Sequence, residues 1–161
     1  MTTLVGTQMD LQSLLTSLIT LDFDAVEAYD TAIVRLSRAD YRVSLADFRD
    51  DHVRHTEILT LMLYDCGAKP PDGPDLKRVL LDGKIRLASL VSDRAILYAM
   101  KTTETDTVVA YERATRSANV TPQLRDILYD GLLDERRHRA WLSEQIAGEE
   151  PPYASPPGPP L

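Results

Sequence analysis

At 161 residues, with 43% hydrophobic and 27% charged side chains, the chain has room for one domain with a real core and an ordinary globular composition. Its net charge of −7 argues against a sequence-wide attraction to nucleic acid or to an anionic membrane surface. Cys66 is the single cysteine, so no internal disulfide forms; no stretch of about 18 apolar residues offers a membrane span, and "MTTLVGTQMD" has no basic n-region, so a cytoplasmic protein without a signal peptide is expected.

Helical periodicity begins with Leu11, Leu15, Leu18, Ala25, Tyr29, Ala32 and Leu36, spaced by three, four and seven as on one face of an amphipathic helix. A second helix is expected to open at Ser44, a good N-cap, with Leu45, Phe48, Leu59 and Met62 on one face and Gly67 as its stop. "GAKPPDGPD", 67–75, concentrates proline and glycine and cannot be helix, while "LKRVLLDGK" leaves room for a short helix inside this long connection. A third helix is expected from about Arg86 to Ser117, striped by Leu90, Leu97, Met100, Val108, Tyr111 and Ala114. After "SANVTP", Thr121 and Pro122 suit the N-cap and first residue of a fourth helix ending near Gly148, with Leu124, Leu128, Leu142 and Ile146 buried. The division is then a bundle over 1–148 and a proline-rich tail over 149–161, extended or disordered. The fold class is all-α: an antiparallel four-helix bundle with one long crossover between the second and third helices.

The chain also repeats itself. "LDFDAVEAYD", 21–30, resembles "TETDTVVAYE", 103–112, matching Asp22 to Glu104, Asp24 to Asp106 and Tyr29 to Tyr111. "DHVRH", 51–55, resembles "DERRH", 134–138, matching His52 to Glu135 and His55 to His138. Two helical hairpins related by a pseudo-twofold axis explain both matches.

Each apolar stripe also takes in ionisable residues near its middle: Asp22 on the first, His52 and His55 on the second, Glu104 on the third, Glu135 and His138 on the fourth. These include all three histidines of the chain. Asp22 with His52, and Glu104 with Glu135, are each centred on an expected turn, which sets all six residues at one level, about 20 Å from the turns at ~1.5 Å per residue. Burying carboxylates costs several kcal/mol or more unless they are paired, protonated or metal-bound. A divalent metal supplies that compensation, and mixed carboxylate oxygen and imidazole nitrogen suits iron or manganese, with zinc as a further candidate. Without metal, Asp22, Glu104 and Glu135 are expected to repel one another, so that neutralising Glu104 relieves the bundle. Asp51, one residue off its stripe, is expected on the flank. Arg54, Arg136, Arg137 and Arg139 read as a solvated face pairing with Asp51 or Asp134. No Gly-x-Ser-x-Gly, Walker loop or dinucleotide fingerprint is present, so any catalysis would have to be metal-based.

At these residues the sequence resembles the ferritin-like superfamily, whose members place one Glu on each of two helices and Glu-x-x-His on each of the other two around a di-iron or di-manganese centre. "SDRAILYAMKTTETDTVVAYERA", 92–114, is similar to bacterial ferritin-like proteins described as stress-related, and the resemblance runs over roughly 10–147. It implies Asp22 and Glu104 as single carboxylate ligands, Glu135 with His138 as an intact Glu-x-x-His, and His52 with His55 as an altered one. It also implies iron as the metal, a role in iron handling or oxidative-stress chemistry, and a metal-dependent oxidoreductase as the enzyme class if there is one. Tyr29 and Tyr111 stand where family members often carry a tyrosine near the metals. Asp22 is shorter than the family's Glu, and His52 replaces a Glu that bridges both metals there. The resemblance therefore implies one stronger set (Glu104, Glu135, His138) and a softer one (Asp22, His52, His55). Metal ions are the implied partners, with a homodimer left open and no nucleic acid or membrane. The competing reading is a metal-free, degenerate ferritin-like bundle with a structural or partner-binding role.

Overall fold

In the computed structural model the described residues are 3–71, 73 and 90–148. They form four helices, α1 (Leu11–Arg35), α2 (Ala39–Asp65), α3 (Asp93–Thr115) and α4 (Pro122–Gly148), and no strand occurs among them. The fold is an all-α four-helix bundle. "LKRVLLDGK" and the tail 149–161 lie outside the described residues.

Local chemistry explains the helix ends. Asp10 caps α1 by accepting from the Ser13 amide at 2.8 Å, and Thr121 caps α4 by accepting from Leu124 at 3.3 Å. Gly67 stops α2 at φ +74°, where the amides of Gly67 and Ala68 turn back to the carbonyls of Tyr64 and Leu63. Two starts differ from expectation. α2 begins at Ala39, five residues before Ser44, because Asp93 accepts from the Ser37 and Arg38 amides at 2.8 and 2.9 Å and so caps the helix from another part of the chain. α3 begins at Asp93, with Leu90 and Val91 outside it, because Ser92 takes the N-cap position and accepts from the Ala95 amide.

Contacts between helices fix the topology. Gln12 bonds the Cys66 carbonyl and Asp30 pairs with Arg49, so α1 and α2 run antiparallel; Glu112 pairs with Arg136, so α3 and α4 do too. α1 meets α3 through Tyr29–Glu104 and Tyr111–Asp22, and α2 meets α4 through Arg54–Asp134, again antiparallel. α2 and α3 therefore point the same way. The connection over 66–92 has to return the length of α2, 27 residues, or roughly 40 Å at ~1.5 Å per residue. This is the long crossover read from the sequence.

The core is divided. One apolar cluster is built from Leu14, Leu15, Leu18, Leu59, Leu63, Leu124 and Leu128; the other gathers Tyr41, Leu45, Phe48, Ile96, Leu97, Leu142 and Ile146. Each such side chain contributes roughly 1.5–3 kcal/mol on full burial. Between the clusters lies a polar level. No helix of the described residues is long and apolar enough to cross a membrane.

Candidate metal centre

Because the helices cross that level in register, the bundle interior brings together all six sequence-derived residues. Asp22, His52, Glu104, Glu135 and His138 are completely buried, and His55 is 6% exposed. His52 occupies the middle: its Nδ1 donates to Asp22 Oδ1 at 2.9 Å, its Nε2 stands 3.3 Å from Glu104 Oε1, and Glu135 Oε1 is 3.5 Å away. His55 Nδ1 lies 3.2 Å from Glu135 Oε1, and His138 Nδ1 lies 3.6 Å from Glu104 Oε2.

Around these six stands a ring that the stripes do not reveal. Asp51 accepts from His138 Nε2 at 2.9 Å, and Asp134 accepts from His55 Nε2 at 3.2 Å. Each aspartate precedes the first residue of its own helix's pair and reaches across to the histidine of the facing helix. Asp51 is thus buried against α4, not on the flank. Arg54 joins Asp51 and Asp134 at 2.6 and 2.7 Å, and Arg137 bonds Asp51 and stands 2.9 Å from Asp134, closing a four-residue ionic clasp. Arg136 instead pairs with Glu112. The tyrosines are exchanged in the same way: Tyr29 donates to Glu104 at 2.5 Å and Tyr111 to Asp22 at 2.7 Å.

Electrostatics separate the three carboxylates. Burial raises the pKa of Glu104, but contacts with His138 and His52 outweigh it and hold this carboxyl well below its usual range. Burial likewise opposes ionisation of Asp22, and the His52 bond again wins. Glu135 has no such relief: burial and the Glu104 charge push its pKa well up against the pull of His52. The repulsion expected at Glu104 therefore falls on Glu135. Burial opposes charge on the imidazoles as well, yet Glu135, Asp22 and Glu104 raise His52 well above its ordinary value, and Asp134, Asp22 and Glu135 push His55 up to about 12. Both tyrosines are raised by burial and by the carboxylates they serve, so they remain phenols and donors. Without metal, the surroundings favour the charged form of His52, His55, Asp22 and Glu104 and the protonated form of Glu135.

This arrangement leaves buried atoms over. His55 Nδ1, His138 Nδ1, Glu104 Oε2 and both Glu135 oxygens have no hydrogen-bond partner. A buried unsatisfied polar atom ordinarily costs about 1–3 kcal/mol. These five belong to one cluster, and both imidazoles offer Nδ1 because an aspartate holds Nε2, the carboxylate–histidine arrangement that orients metal ligands. Two overlapping groups could hold a metal ion, each with ligand atoms within 4.8 Å of one another: Asp22, His52, His55 and Glu135, and His52, Glu104, Glu135 and His138. The oxygen and nitrogen donors fit a divalent transition metal. Shared His52 and Glu135 make the groups two halves of one centre.

No protein-family model matches the sequence. No curated protein matches it either. The fold is similar to the crystal structure of a conserved hypothetical protein, rv2844, from Mycobacterium tuberculosis, with a TM-score of 0.68, 17% sequence identity, and coverage of 89% of this chain and 94% of that one. At that identity the likeness concerns the fold.

Proposed function

We propose that this chain is a ferritin-like transition-metal-binding protein, iron being the first candidate and manganese or zinc the others, with a role in iron handling or oxidative-stress chemistry. The observation that carries the reading is the set of five unpartnered, buried ligand atoms on His55, Glu104, Glu135 and His138. Without metal these atoms face one another, His55 Nδ1 at 3.2 Å from Glu135 Oε1 and His138 Nδ1 at 3.6 Å from Glu104 Oε2, without a hydrogen bond; a cation satisfies them together. Asp22 and His55 would hold one ion and Glu104 and His138 another, with Glu135 between them. When bound, the metal supplies Lewis acidity and, as iron or manganese, one-electron chemistry. The chain's own part is to keep Nδ1 of each histidine free through Asp51 and Asp134, and to steady the single carboxylates through the tyrosine hydroxyls. The apolar clusters close this level along the bundle axis on either side. A lone cysteine fits a reducing cytoplasm.

The test is metal content. Protein purified without a metal-affinity tag is expected to carry iron, manganese or zinc, and the metal-free protein to take up Fe(II) or Mn(II) on titration. No metal in the purified protein together with no uptake overturns the proposal in favour of a structural or partner-binding bundle.

A further inference from the structure

The pseudo-twofold that relates the ligands also relates the walls around them, and there it fails. α2 and α4 correspond at a spacing of 83 residues, which pairs Asp51 with Asp134, Arg54 with Arg137 and His55 with His138. The same spacing pairs Phe48 with Gly131 and Ile58 with Trp141. On the His138 side, Phe48 stacks on the imidazole with ring centroids 4.3 Å apart, and Trp141 packs edge-on against Phe48 at 5.4 Å. His138 is sealed. On the His55 side, where a second aromatic pair would stand, there are Gly131 and Ile58. Both line a cavity of about 200 Å³ that reaches the buried His55 and Tyr111 and is bordered by Ile127, the exposed Asp130 and the Arg54–Asp134 ion pair. Gly131 cannot simply acquire a side chain, because a Cβ there would meet the Tyr111 ring at 2.7 Å.

We propose that this cavity is the port through which a divalent metal ion enters and leaves the centre, so that the position at Asp22 and His55 exchanges quickly and the position at Glu104 and His138 slowly. The inference rests on the metal-binding reading above. Three observations carry it. The cavity ends at an imidazole whose Nδ1 is buried and unpartnered, on the half of the centre that also contains Asp22. Arg54 also lines the cavity but is paired to Asp51 and Asp134, which leaves the exposed Asp130 carboxylate to attract a cation before dehydration. At about 30 Å³ of liquid volume per water, the cavity holds an ion with several waters still attached. The larger cavity of about 720 Å³ lies elsewhere, along Ala28, Tyr98 and Ala99, and none of the six residues lines it.

The experiment loads the full-length protein with Co(II) and follows its removal by EDTA through the Co(II) absorption. Wild type is expected to lose cobalt in a fast and a slow phase. Ile58→Trp, which gives the open side its Trp141 counterpart, is expected to slow the fast phase at least tenfold with stoichiometry unchanged. Trp141→Ile is expected to accelerate the slow phase. Ile127→Phe fills the same cavity from the other wall and replaces Ile58→Trp should that variant not fold. Wild-type release kinetics in a cavity-filling variant with full stoichiometry overturn the port while leaving the metal reading intact. Failure of wild type to take up Co(II) at all overturns the reading beneath it and the port with it.

Discussion

The two hairpins of this bundle carry the same plan with different side chains. α1–α2 contributes Asp22, His52 and His55; α3–α4 contributes Glu104, Glu135 and His138, and each hairpin also lends the other a tyrosine and an aspartate. What repeats faithfully is the outer support: Tyr29 with Tyr111, Asp51 with Asp134, Arg54 with Arg137. What differs is the charge at the centre and the cover over each histidine. The supporting groups impose geometry, which both halves need equally. The differing groups decide protonation and access, which the halves divide between them.

Glu135 is the one carboxylate common to both groups. Glu135→Ala is expected to abolish metal binding at both positions, whereas His138→Ala and His55→Ala each remove one and leave helix content nearly unchanged. Metal analysis beside circular dichroism checks this, and full metal content in Glu135→Ala would show that the residue is not shared.

A smaller effect is expected one layer out. Asp51→Asn should weaken the Glu104/His138 position, and Asp134→Asn the Asp22/His55 position, each by about 10- to 100-fold, the usual consequence of losing a carboxylate behind a ligating imidazole. Titration of both variants with Mn(II) reads the two effects separately. Equal loss at both positions in either variant contradicts the crossed pairing.

His52 stands where its counterpart in the other hairpin is Glu135. A neutral imidazole cannot bridge two metals as a carboxylate does, so His52→Glu is expected to tighten the weaker Asp22/His55 position and to speed Fe(II) oxidation by oxygen. Binding at that position as tight in wild type as in the variant, with iron oxidised as fast, would make His52 an ordinary terminal ligand.

The smallest effect is on stability against pH in the metal-free protein. His55, raised to about 12, contributes stability that is complete below its unfolded value near 6.5 and is lost as pH rises towards 12. Glu135, also raised, acts in the same direction above its unfolded value of about 4.3. Asp134 at about 2, with the lowered Asp22 and Glu104, contributes stability that is present above the ordinary carboxylate range and lost as pH falls through their folded values. The metal-free protein should therefore be most stable between about pH 4.3 and 6.5 and melt at lower temperature by pH 8.5. Glu135→Gln should flatten part of that decline. In the metal-loaded protein the trend above pH 6.5 should weaken or reverse, because ligation displaces the protons. Thermal melts at pH 5.5, 7 and 8.5 in both states test the signs.

Helical periodicity made the bundle legible in the sequence, and it exposed the six central residues because ionisable groups on an apolar stripe have nowhere else to point. The supporting aspartates were not legible in the same way. Asp51 and Asp134 lie one residue, about 100° of helix rotation, from His52 and Glu135, so they face a neighbouring helix rather than the bundle axis. Stripe reading has no place for a residue that serves the site from across a helix–helix contact. The cap of α2 escaped for a related reason, since Asp93 is remote in sequence from the amides it satisfies. Gly131 escaped because its contribution is a missing side chain, visible only against Phe48 in the folded counterpart. Which carboxylate bears the strain depended on the partners of Glu104 and Asp22, and no spacing encodes those.

The pseudo-twofold has a consequence for what such a centre can become. Were the bundle an association of two identical hairpins, each substitution would occur twice, and a residue that covered one histidine would cover the other. An opening on one side would demand an opening on both. With both hairpins in one chain, joined by the crossover, each half varies alone. Phe48 covers His138 while a cavity reaches His55, and an imidazole stands at His52 where its counterpart Glu135 offers a carboxylate. Covalent linkage thus gives the interior a front and a back, a polarity that no symmetric pair of hairpins can possess.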